Sequence, residues 1–278
     1  MAKTKKIPFF KIESSGGGNI VFDGLTRAKP PSPNRLAKRL CNPHTGIGGD
    51  RLILLSKSRK ADFKIEVYNA DSSASDISGG GLCAAARHIR NMNYTGKKSF
   101  KIETQAGIHE VKVNAKTVDV RLGEPRLKGK EIPVNLSGRI INRPLKIETK
   151  DFRVTCLSFG NPHCIIFQES LDHFPVEKFG PLLENYHVFP KRVNVSFVNV
   201  ISNSELSIQV WERGVGKSQA SATAACASLV ASVLNGYAGR KARVTMPGGK
   251  VQVEWEKNSN QVIFTASAQT LFEGQLWI

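Results

Sequence analysis

The chain has 278 residues, of which 40% are hydrophobic and 23% charged, and it carries a net charge of +17. This length suits two medium-sized domains better than one compact core. No stretch approaches the roughly 20 consecutive apolar residues that a membrane-spanning helix needs, which excludes such a helix. The basic start lacks the apolar region and cleavage site of a secretory signal, and we therefore expect a cytoplasmic protein.

The positive charge is concentrated near the start of the chain. Residues 1–60 contain 13 basic side chains against three acidic ones. The basic ones are Lys3, Lys5, Lys6, Lys11, Arg27, Lys29, Arg35, Lys38, Arg39, Arg51, Lys57, Arg59 and Lys60. A basic surface attracts nucleic acid or anionic metabolites. Because no nucleic-acid-binding motif accompanies the charge, a solvated basic face is favoured. Polyanion binding stays an alternative, which predicts a steeply salt-dependent affinity.

The cysteines argue against a disulfide framework and against a zinc site. Their number is odd, their spacings are wide, and no pair forms a C-x-x-C motif. They are Cys41, Cys83, Cys156, Cys164 and Cys226. We predict reduced and mostly buried thiols.

Alternating apolar residues predict β-strands in both halves of the chain. In chain order these strands cover residues 63–68, 99–104, 108–113, 118–122, 206–211, 242–246, 251–255 and 262–266. Two Ala-rich runs, residues 83–91 and 223–234, favour helices, and Asn235-Gly236 is typical of the end of the second. Both runs are apolar nearly all round, which predicts a buried central helix in each half. Residues 125–135 are interpreted as a linker.

Matching segments in the two halves indicate an internal duplication. The sequence SGGGLC at residues 78–83 corresponds to SATAAC at residues 221–226, at an offset of 143. Gly-Asn occurs at residues 18–19 and again at residues 160–161, at an offset of 142. Two matches at nearly one offset predict two halves of similar fold.

Each predicted helix follows a strand and a turn of small residues. The free N–H groups at a helix start, together with the helix dipole, bind anions such as carboxylates. If the halves face each other, two such starts can hold one small anionic ligand, with Ser78 and Ser221 pointing at it. N-capping by both serines is the alternative interpretation, and the spacing alone favours it.

Five motifs resemble those of the diaminopimelate epimerase family and follow the family's order. The family signatures include Asn-x-Asp-Gly-Ser with Cys-Gly-Asn-Gly, and Glu-Arg-Gly-x-Gly-Glu-Thr with Cys-Gly-Thr-Gly. The motifs in this chain are HTGIGGD at 44–50, NADSS with SGGG at 69–81, GNPH at 160–163, RVNV at 192–195, and WERGVG with QASAT at 211–223. The resemblance extends from about residue 8 to the end.

The resemblance implies an α+β fold of two pseudo-symmetric domains, each a β-sheet wrapped around a central helix, with the site in the cleft between them. We expect domains at residues 1–124 and 125–266, with residues 267–278 returning to the first as a strand. The resemblance also implies a cofactor-independent inversion at one α-carbon of diaminopimelate, on the lysine and peptidoglycan precursor pathway. It further implies a homodimer.

The family resemblance also assigns roles to individual residues. Ser78 and Ser221 occupy the positions of the two family cysteines, one of which removes the α-proton while the other delivers a proton to the opposite face. The positions expected to bind substrate are Asn19, Arg51, Asn69, Gly79, Gly80, Asn161, Asn194, Glu212, Arg213, Ala222 and Thr223. Glu212 and Arg213 are neighbours and suit a zwitterionic substrate, since one can bind its ammonium group and the other its carboxylate. The alternative is that the two side chains form a surface ion pair.

Further departures from the family surround the two serines. Gly80 replaces Asn, Ala222 replaces Gly, Lys217-Ser218 replaces Glu-Thr, and Arg51 stands where Gln is common. A serine hydroxyl is far less acidic than a thiol, whose pKa is about 8.5, and each pKa unit corresponds to about 1.4 kcal/mol. We therefore predict a pseudoenzyme that retains the fold and still binds a small amino-acid-like ligand in the cleft. The alternative is an active isomerase in which Lys217 or His163 activates a serine or acts as the base.

Overall fold

The computed structural model describes residues 6–26 and 30–277. Outside these residues lie four members of the basic set, Lys3, Lys5, Arg27 and Lys29. The chain divides into two compact units, the first formed by Met1–Val120 with Ala266–Ile278 and the second by Arg121–Thr265. Across the described ranges, no helix is both long enough and apolar enough to cross a membrane.

Both units consist mainly of β-strands, and the helices lie in the segments that connect one strand to the next. The strands are β1 (Lys6–Ser14), β2 (Gly17–Asp23), β3 (Arg51–Ser56), β4 (Phe63–Asn69), β5 (Ala74–Ser75), β6 (Ser99–Thr104), β7 (Gly107–Val113), β8 (Thr117–Gly123), β9 (Arg143–Ile147), β10 (Lys150–Ser158), β11 (Pro162–Phe167), β12 (Asn194–Ser202), β13 (Glu205–Glu212), β14 (Gly216–Ser218), β15 (Lys241–Met246), β16 (Gly249–Trp255) and β17 (Val262–Trp277). The helices are α1 (Pro33–Leu40), α2 (Gly79–Asn91), α3 (Val176–Glu184) and α4 (Ala222–Leu234), with a 3-10 turn at Gly129–Glu131.

The two units repeat one pattern of strand pairing. In the first, β1 and β2 pair antiparallel, β2 and β3 parallel, β3 and β4 antiparallel, β4 and β6 parallel, and β6 and β7 antiparallel. In the second, β10, β11, β12, β13, β15 and β16 follow the same alternation. Each parallel pair is connected through a helix, as parallel crossovers require. The shared topology confirms the duplication that the sequence repeat predicts.

The helices α2 and α4 are the central helices of their units, as predicted. Each lies against several strands of its own sheet. Nearly every residue of α4 is buried, which fits a run of small and apolar side chains. Both helices begin one residue after the serine of the repeat, and Gly236 follows the end of α4 with a φ of 74°. The predicted strands are confirmed within one or two residues at their starts. The strand predicted at residues 262–266 continues to Trp277 as β17, through the stretch that the family resemblance predicts as a strand.

Polar side chains of α2 fix its position within the first unit. The Arg87 guanidinium donates to the backbone carbonyls of Ala268, Asn114 and Thr117 at 3.0 to 3.3 Å. His88 lies 3.2 Å from the buried Asp23 carboxylate. Because each of these groups is paired, α2 presents its start at a defined place beside the strand ends.

Residues 125–135 form part of the second unit, so their interpretation as a linker is wrong. This stretch contains the 3-10 turn, and Arg126 forms a bridge with Ser158. Ile132 is fully buried and Val134 is 5% exposed, both within the apolar core around β10 and β11. The burial of these two apolar side chains fixes the segment to the second unit.

Candidate functional site

Three of the predicted site residues form a row across the sheet of the first unit. Asn19 on β2 pairs with Arg51 on β3, and Arg51 pairs in turn with Asn69 on β4. Directly paired residues direct their side chains to the same face of a sheet. The motifs around residues 19, 51 and 69 therefore converge at the ends of three adjacent strands.

Ser78 is the N-cap of α2. Its extended backbone (φ −135°, ψ 115°) allows Oγ to accept the Gly81 N–H at 3.0 Å. The same oxygen accepts a hydrogen bond from Nη1 of Arg51, which is 8% exposed. The Ser78 oxygen thus already accepts two hydrogen bonds, and its own proton is the part of the hydroxyl left to interact with a ligand.

Asn19 is held by its amide nitrogen, which leaves its amide oxygen open. Nδ2 donates to Ser14 Oγ at 2.9 Å and to the carbonyls of Ile12 and Gly17 at 3.2 Å. Ser14 Oγ donates in turn to the Gly80 carbonyl at 2.9 Å. Among the described residues, Asn19 Oδ1 has no hydrogen-bonding partner, although the residue is 1% exposed. A buried acceptor of this kind suits a ligand that brings a donor.

Side-chain hydrogen bonds stabilise the turn after Asn69, and one residue of this turn has a strained backbone. Asn69 Nδ2 donates to Ser73 Oγ at 3.0 Å, and Ser73 Oγ donates to Asp71 Oδ1 at 2.5 Å. Ser72, which stands where the family signature has glycine, has a φ of 78°. This left-handed conformation favours glycine, so the chain retains the turn at the cost of local strain.

In the second unit, Asn161 and Asn194 lie beside the start of α4 and the end of β13. Asn161 Nδ2 donates to Thr223 Oγ1 at 3.3 Å, while Asn161 Oδ1 is buried without a partner among the described residues. Asn194 Nδ2 donates to the Pro162 carbonyl at 2.9 Å, and its Oδ1 accepts the Arg213 N–H at 3.0 Å. Asn161 therefore repeats the open amide oxygen of Asn19 in the other half of the duplication.

Ser221 occupies the cap position of α4 but does not cap the helix. It has an extended backbone and is 4% exposed. Its N–H donates to Met246 Sδ at 3.2 Å, and Oγ forms no hydrogen bond to any described residue. N-capping therefore accounts for Ser78 but not for Ser221.

The helix starts retain free backbone donors. Gly79 and Gly80 in α2, and Ala222 and Thr223 in α4, have N–H groups with no acceptor among the described residues. The first N–H groups of a helix lack intrahelical partners and carry the positive end of the dipole. Each helix start can therefore hold a carboxylate.

Sequence reasoning missed Glu184, which organises the loop that carries Glu212 and Arg213. This residue ends α3 and is 5% exposed. Its Oε1 accepts from Arg192 Nη1 at 3.1 Å and from the Gly214 N–H at 2.9 Å, and its Oε2 accepts from Trp211 Nε1 at 2.7 Å. One carboxylate thus holds β13, the turn after it and the segment before β12. A lone Glu in a short helix has no sequence signal that indicates this role.

We expect Glu184→Gln to destabilise the protein by about 1–3 kcal/mol, because the amide nitrogen cannot accept hydrogen bonds from buried donors. Urea denaturation gives the free energy of unfolding. The matched control is Glu177→Gln on the same helix, where the carboxylate is 61% exposed. An exposed pair contributes little, so the control is expected within about 0.5 kcal/mol of the wild type. Equal losses for both variants would contradict the role of Glu184.

His163 lies in the interior of the second unit. It is fully buried on β11, and neither ring nitrogen has a hydrogen-bonding partner among the described residues. Burial, and to a lesser extent the charge of Arg213, lower the pKa of His163 to about 3. The ring is therefore neutral at physiological pH, and a group with so low a pKa is a weak general base.

This pKa predicts a pH-dependent stability. The unfolded histidine binds a proton near pH 6.5, whereas the folded one stays neutral to about pH 3. Stability is therefore lost as the pH falls below about 6.5, by about 1.4 kcal/mol per pH unit from this residue. We expect His163→Leu to have a smaller decrease in unfolding free energy between pH 7.5 and 5.5 than the wild type. Parallel decreases in the two proteins would refute the burial of a neutral ring.

Lys217 is engaged in an ion pair, and the cysteine thiols are buried. Lys217 Nζ is 2.5 Å from Glu177 Oε1 in an exposed ion pair between β14 and α3. The cysteines are free and buried, as predicted. Burial raises the pKa of Cys41 to about 11, so this thiol is protonated at neutral pH.

Comparison with known proteins identifies the family of this chain. The Diaminopimelate epimerase family profile matches residues 14–128 and 155–271. The chain belongs to the diaminopimelate epimerase family. The epimerase of Acetivibrio thermocellus is 40% identical to it, with 94% of this chain and 95% of the relative covered. That of Methanococcus maripaludis (strain C5) is 39% identical, with 96% and 99% covered.

Two solved structures share the fold of this chain. A hydroxyproline epimerase from Agrobacterium vitis superposes with a TM-score of 0.76 at 12% identity, covering all of this chain and 94% of that one. A probable proline racemase from Agrobacterium radiobacter has a TM-score of 0.74 at 14% identity, with 97% and 92% covered. The α+β fold expected from the epimerase family resemblance is thereby confirmed.

Proposed function

We propose that this chain is a diaminopimelate epimerase-like protein that binds a small amino-acid-like ligand without inverting it. The observation that carries the proposal is the repeated open amide oxygen, Asn19 Oδ1 in one unit and Asn161 Oδ1 in the other. Each lies in a unit whose central helix starts with free N–H donors. An acceptor for an ammonium group together with donors for a carboxylate suits an amino acid.

The loss of inversion follows from the chemistry of the two serines. Removing an α-proton requires a base, and a serine hydroxyl serves as one only when a neighbouring group takes its proton. The Ser78 oxygen accepts two hydrogen bonds, and neither donor is a base. Ser221 Oγ has no partner among the described residues. A helix dipole contributes only about 0.3–1 kcal/mol and does not offset the high pKa of a hydroxyl.

The second candidate is an active isomerase with altered acid and base residues. The Arg51 guanidinium favours it, because a cation beside the Ser78 hydroxyl stabilises the alkoxide. The reaction also needs a base to remove the α-proton, and neither candidate base suits that role. Lys217 is engaged by Glu177, and His163 is a weak base with a pKa of about 3. Binding without inversion therefore accounts better for the site.

Two further features of the proposal, a role in the lysine and peptidoglycan precursor pathway and a homodimer, are supported by the family resemblance alone. A cytoplasmic location is supported by the sequence at the start of the chain, which lacks the features of a secretory signal. Light scattering on the purified protein measures the oligomeric state, and twice the mass of the chain is expected.

A ligand-observed NMR experiment in D2O tests the proposed function in one sample. Saturation transfer from the protein to meso-diaminopimelate reports binding, and the α-proton signal reports exchange. We expect saturation transfer with an undiminished α-proton signal. Loss of the α-proton signal would establish the active isomerase instead, and absence of transfer would exclude this ligand. Arg213→Ala, which removes a predicted carboxylate partner, is expected to weaken transfer.

A further inference from the structure

The short helix α1 carries three exposed basic side chains on one side. Arg35, Lys38 and Arg39 are three and four positions apart, a spacing that places side chains next to each other on a helix. The opposite side of α1 packs against the first unit through the buried Leu36 and Leu40. The three cations are therefore held towards solvent, and together they form the basic face of α1.

The acidic residues of this part of the chain do not neutralise the basic face. Residues 1–60 contain only Glu13, Asp23 and Asp50. Glu13 and Asp50 accept the N–H groups of Gly16 and Gly18, at 2.5 and 2.8 Å, and Asp23 is buried beside His88. Within residues 6–26 and 30–277, no side chain of the basic face forms an ion pair or a hydrogen bond. The positive charge of this face is therefore available to a partner.

Helix stability does not account for all three charges. A cation is favourable in the last turn of a helix, where Lys38 and Arg39 lie. Arg35 lies in the first turn, where the positive end of the dipole makes a cation unfavourable. Arg35 and Arg39, four positions apart, also repel each other. A polyanion bound along the basic face relieves both unfavourable interactions.

The composition of α1 indicates which polyanion fits. Guanidinium groups bind phosphates through two parallel hydrogen bonds, and a lysine adds a point charge. A helix that binds a lipid surface needs exposed apolar side chains beside the basic ones, but the apolar residues of α1 are buried. The helix also has no aromatic side chain on which an unpaired base could stack. The basic face therefore suits the phosphate backbone of a duplex.

A second set of basic side chains adds to the positive potential of the first unit. Lys57, Arg59 and Lys60 are exposed in the turn between β3 and β4, and none of their side chains is ion-paired within the part of the chain described. Because Asp23 pairs with Leu55, this turn lies at the end of the sheet from which the chain enters α1. Charges of one sign attract a polyanion over about 10 Å at 0.1 M salt.

We propose that the basic face of α1 binds the phosphate backbone of a nucleic-acid duplex, independently of base sequence. Arg35, Lys38 and Arg39 contact phosphates, which carry no sequence information. None of the three is assigned to the amino-acid-like ligand. This inference therefore does not rest on the proposed function, and either can fail without the other.

Fluorescence anisotropy with a labelled DNA duplex of about 20 base pairs tests this surface. We expect the wild type to bind at about 50 mM salt, with an affinity that falls steeply as salt is added. Each phosphate contact that is lost lowers the slope of log affinity against log salt by about one. The variant Arg35→Gln/Lys38→Gln/Arg39→Gln is therefore expected to lower the slope by about 2–3 and to weaken binding about tenfold or more.

The matched control removes three basic side chains that are ion-paired. Lys97, Lys241 and Arg243 lie 3.0, 3.0 and 3.1 Å from carboxylates. Changing all three to Gln lowers the net charge by the same amount as the α1 variant, so the comparison separates position from total charge. We expect the control to stay within about threefold of the wild-type affinity, since exposed pairs contribute little. Equal losses in the two variants, no loss in the α1 variant, or no binding by the wild type would overturn the proposal.

Vesicles containing phosphatidylserine test the competing polyanionic surface. Binding of the wild type to these vesicles, without binding to the duplex, would assign the basic face to a membrane and overturn the proposal. Circular dichroism establishes that each variant is folded, which is expected because Gln is a good helix former. If the triple variant does not fold, Arg35→Gln alone is the test, and it is expected to lower the salt slope by about one.

Discussion

The double variant Ser78→Cys/Ser221→Cys is expected to convert L,L-diaminopimelate into the meso form, which the wild type is expected not to do. A thiol provides the proton acceptor and donor near neutral pH that a hydroxyl lacks. General acid and base groups contribute about 10²–10⁴ in rate, so we expect inversion at least about 100-fold above the background measured with the wild type. Chiral chromatography of the product measures it.

The single variants are the controls for this gain. Inversion needs one group to remove a proton and another to deliver one, so Ser78→Cys or Ser221→Cys alone is expected to give no inversion. Each variant keeps the side-chain volume nearly unchanged, and its fold can be checked by thermal denaturation. A double variant that binds the ligand without inverting it would show that the serines are not the sole cause of the loss. Gly80, Ala222 and Lys217 would then be implicated.

Gly46→Ala is expected to destabilise the first unit by about 3 kcal/mol, near the upper end for overpacked sites. A Cβ on Gly46 would lie 2.4, 2.5 and 2.8 Å from the backbone oxygens of Arg39, Leu40 and Asn42. These oxygens belong to the end of α1 and to the loop after it, and backbone cannot move aside as a flexible side chain can. The clash displaces the loop that leads to Arg51.

Urea denaturation of Gly46→Ala, with Gly96→Ala as the matched control, measures this effect. Nothing lies within 4 Å of a Cβ built on Gly96, so the control is expected within about 0.5 kcal/mol of the wild type. Ligand binding is expected to weaken in the Gly46 variant alone. Equal unfolding free energies for both variants would contradict the packing described for the HTGIGGD motif.

Eight strands and the two central helices were predictable because each has its own periodicity. The alternation at residues 63–68 and the small apolar run at residues 223–234 determine a strand and a helix locally. Strands such as β3 and β12 were not predicted, since side chains buried on both faces give an apolar run without alternation. Two short helices, α1 and α3, were not predicted, since eight or nine residues contain too few apolar positions to establish a helical period. The end of β17 was expected from the family resemblance and not from periodicity, because its exposed apolar residues do not alternate with polar ones.

The contacts among the predicted site residues could not be predicted from the sequence. Family motifs and the repeat identified Asn19, Arg51 and Ser78, but the hydrogen bond from Arg51 to Ser78 joins residues 27 positions apart. It depends on the pairing of β2, β3 and β4, which no local pattern specifies. The same is true of Glu184, whose partners come from three separate segments.

The α-proton of meso-diaminopimelate in D2O gives the most direct measurement of the central claim, that the fold and half-sites persist without the two-thiol reaction. The wild type and the 40% identical Acetivibrio thermocellus epimerase are compared at equal concentration, with the α-proton signal followed by NMR. The account predicts that the relative exchanges this proton while the wild type binds the ligand and leaves the signal intact. Exchange by the wild type at a rate similar to that of the relative would contradict it.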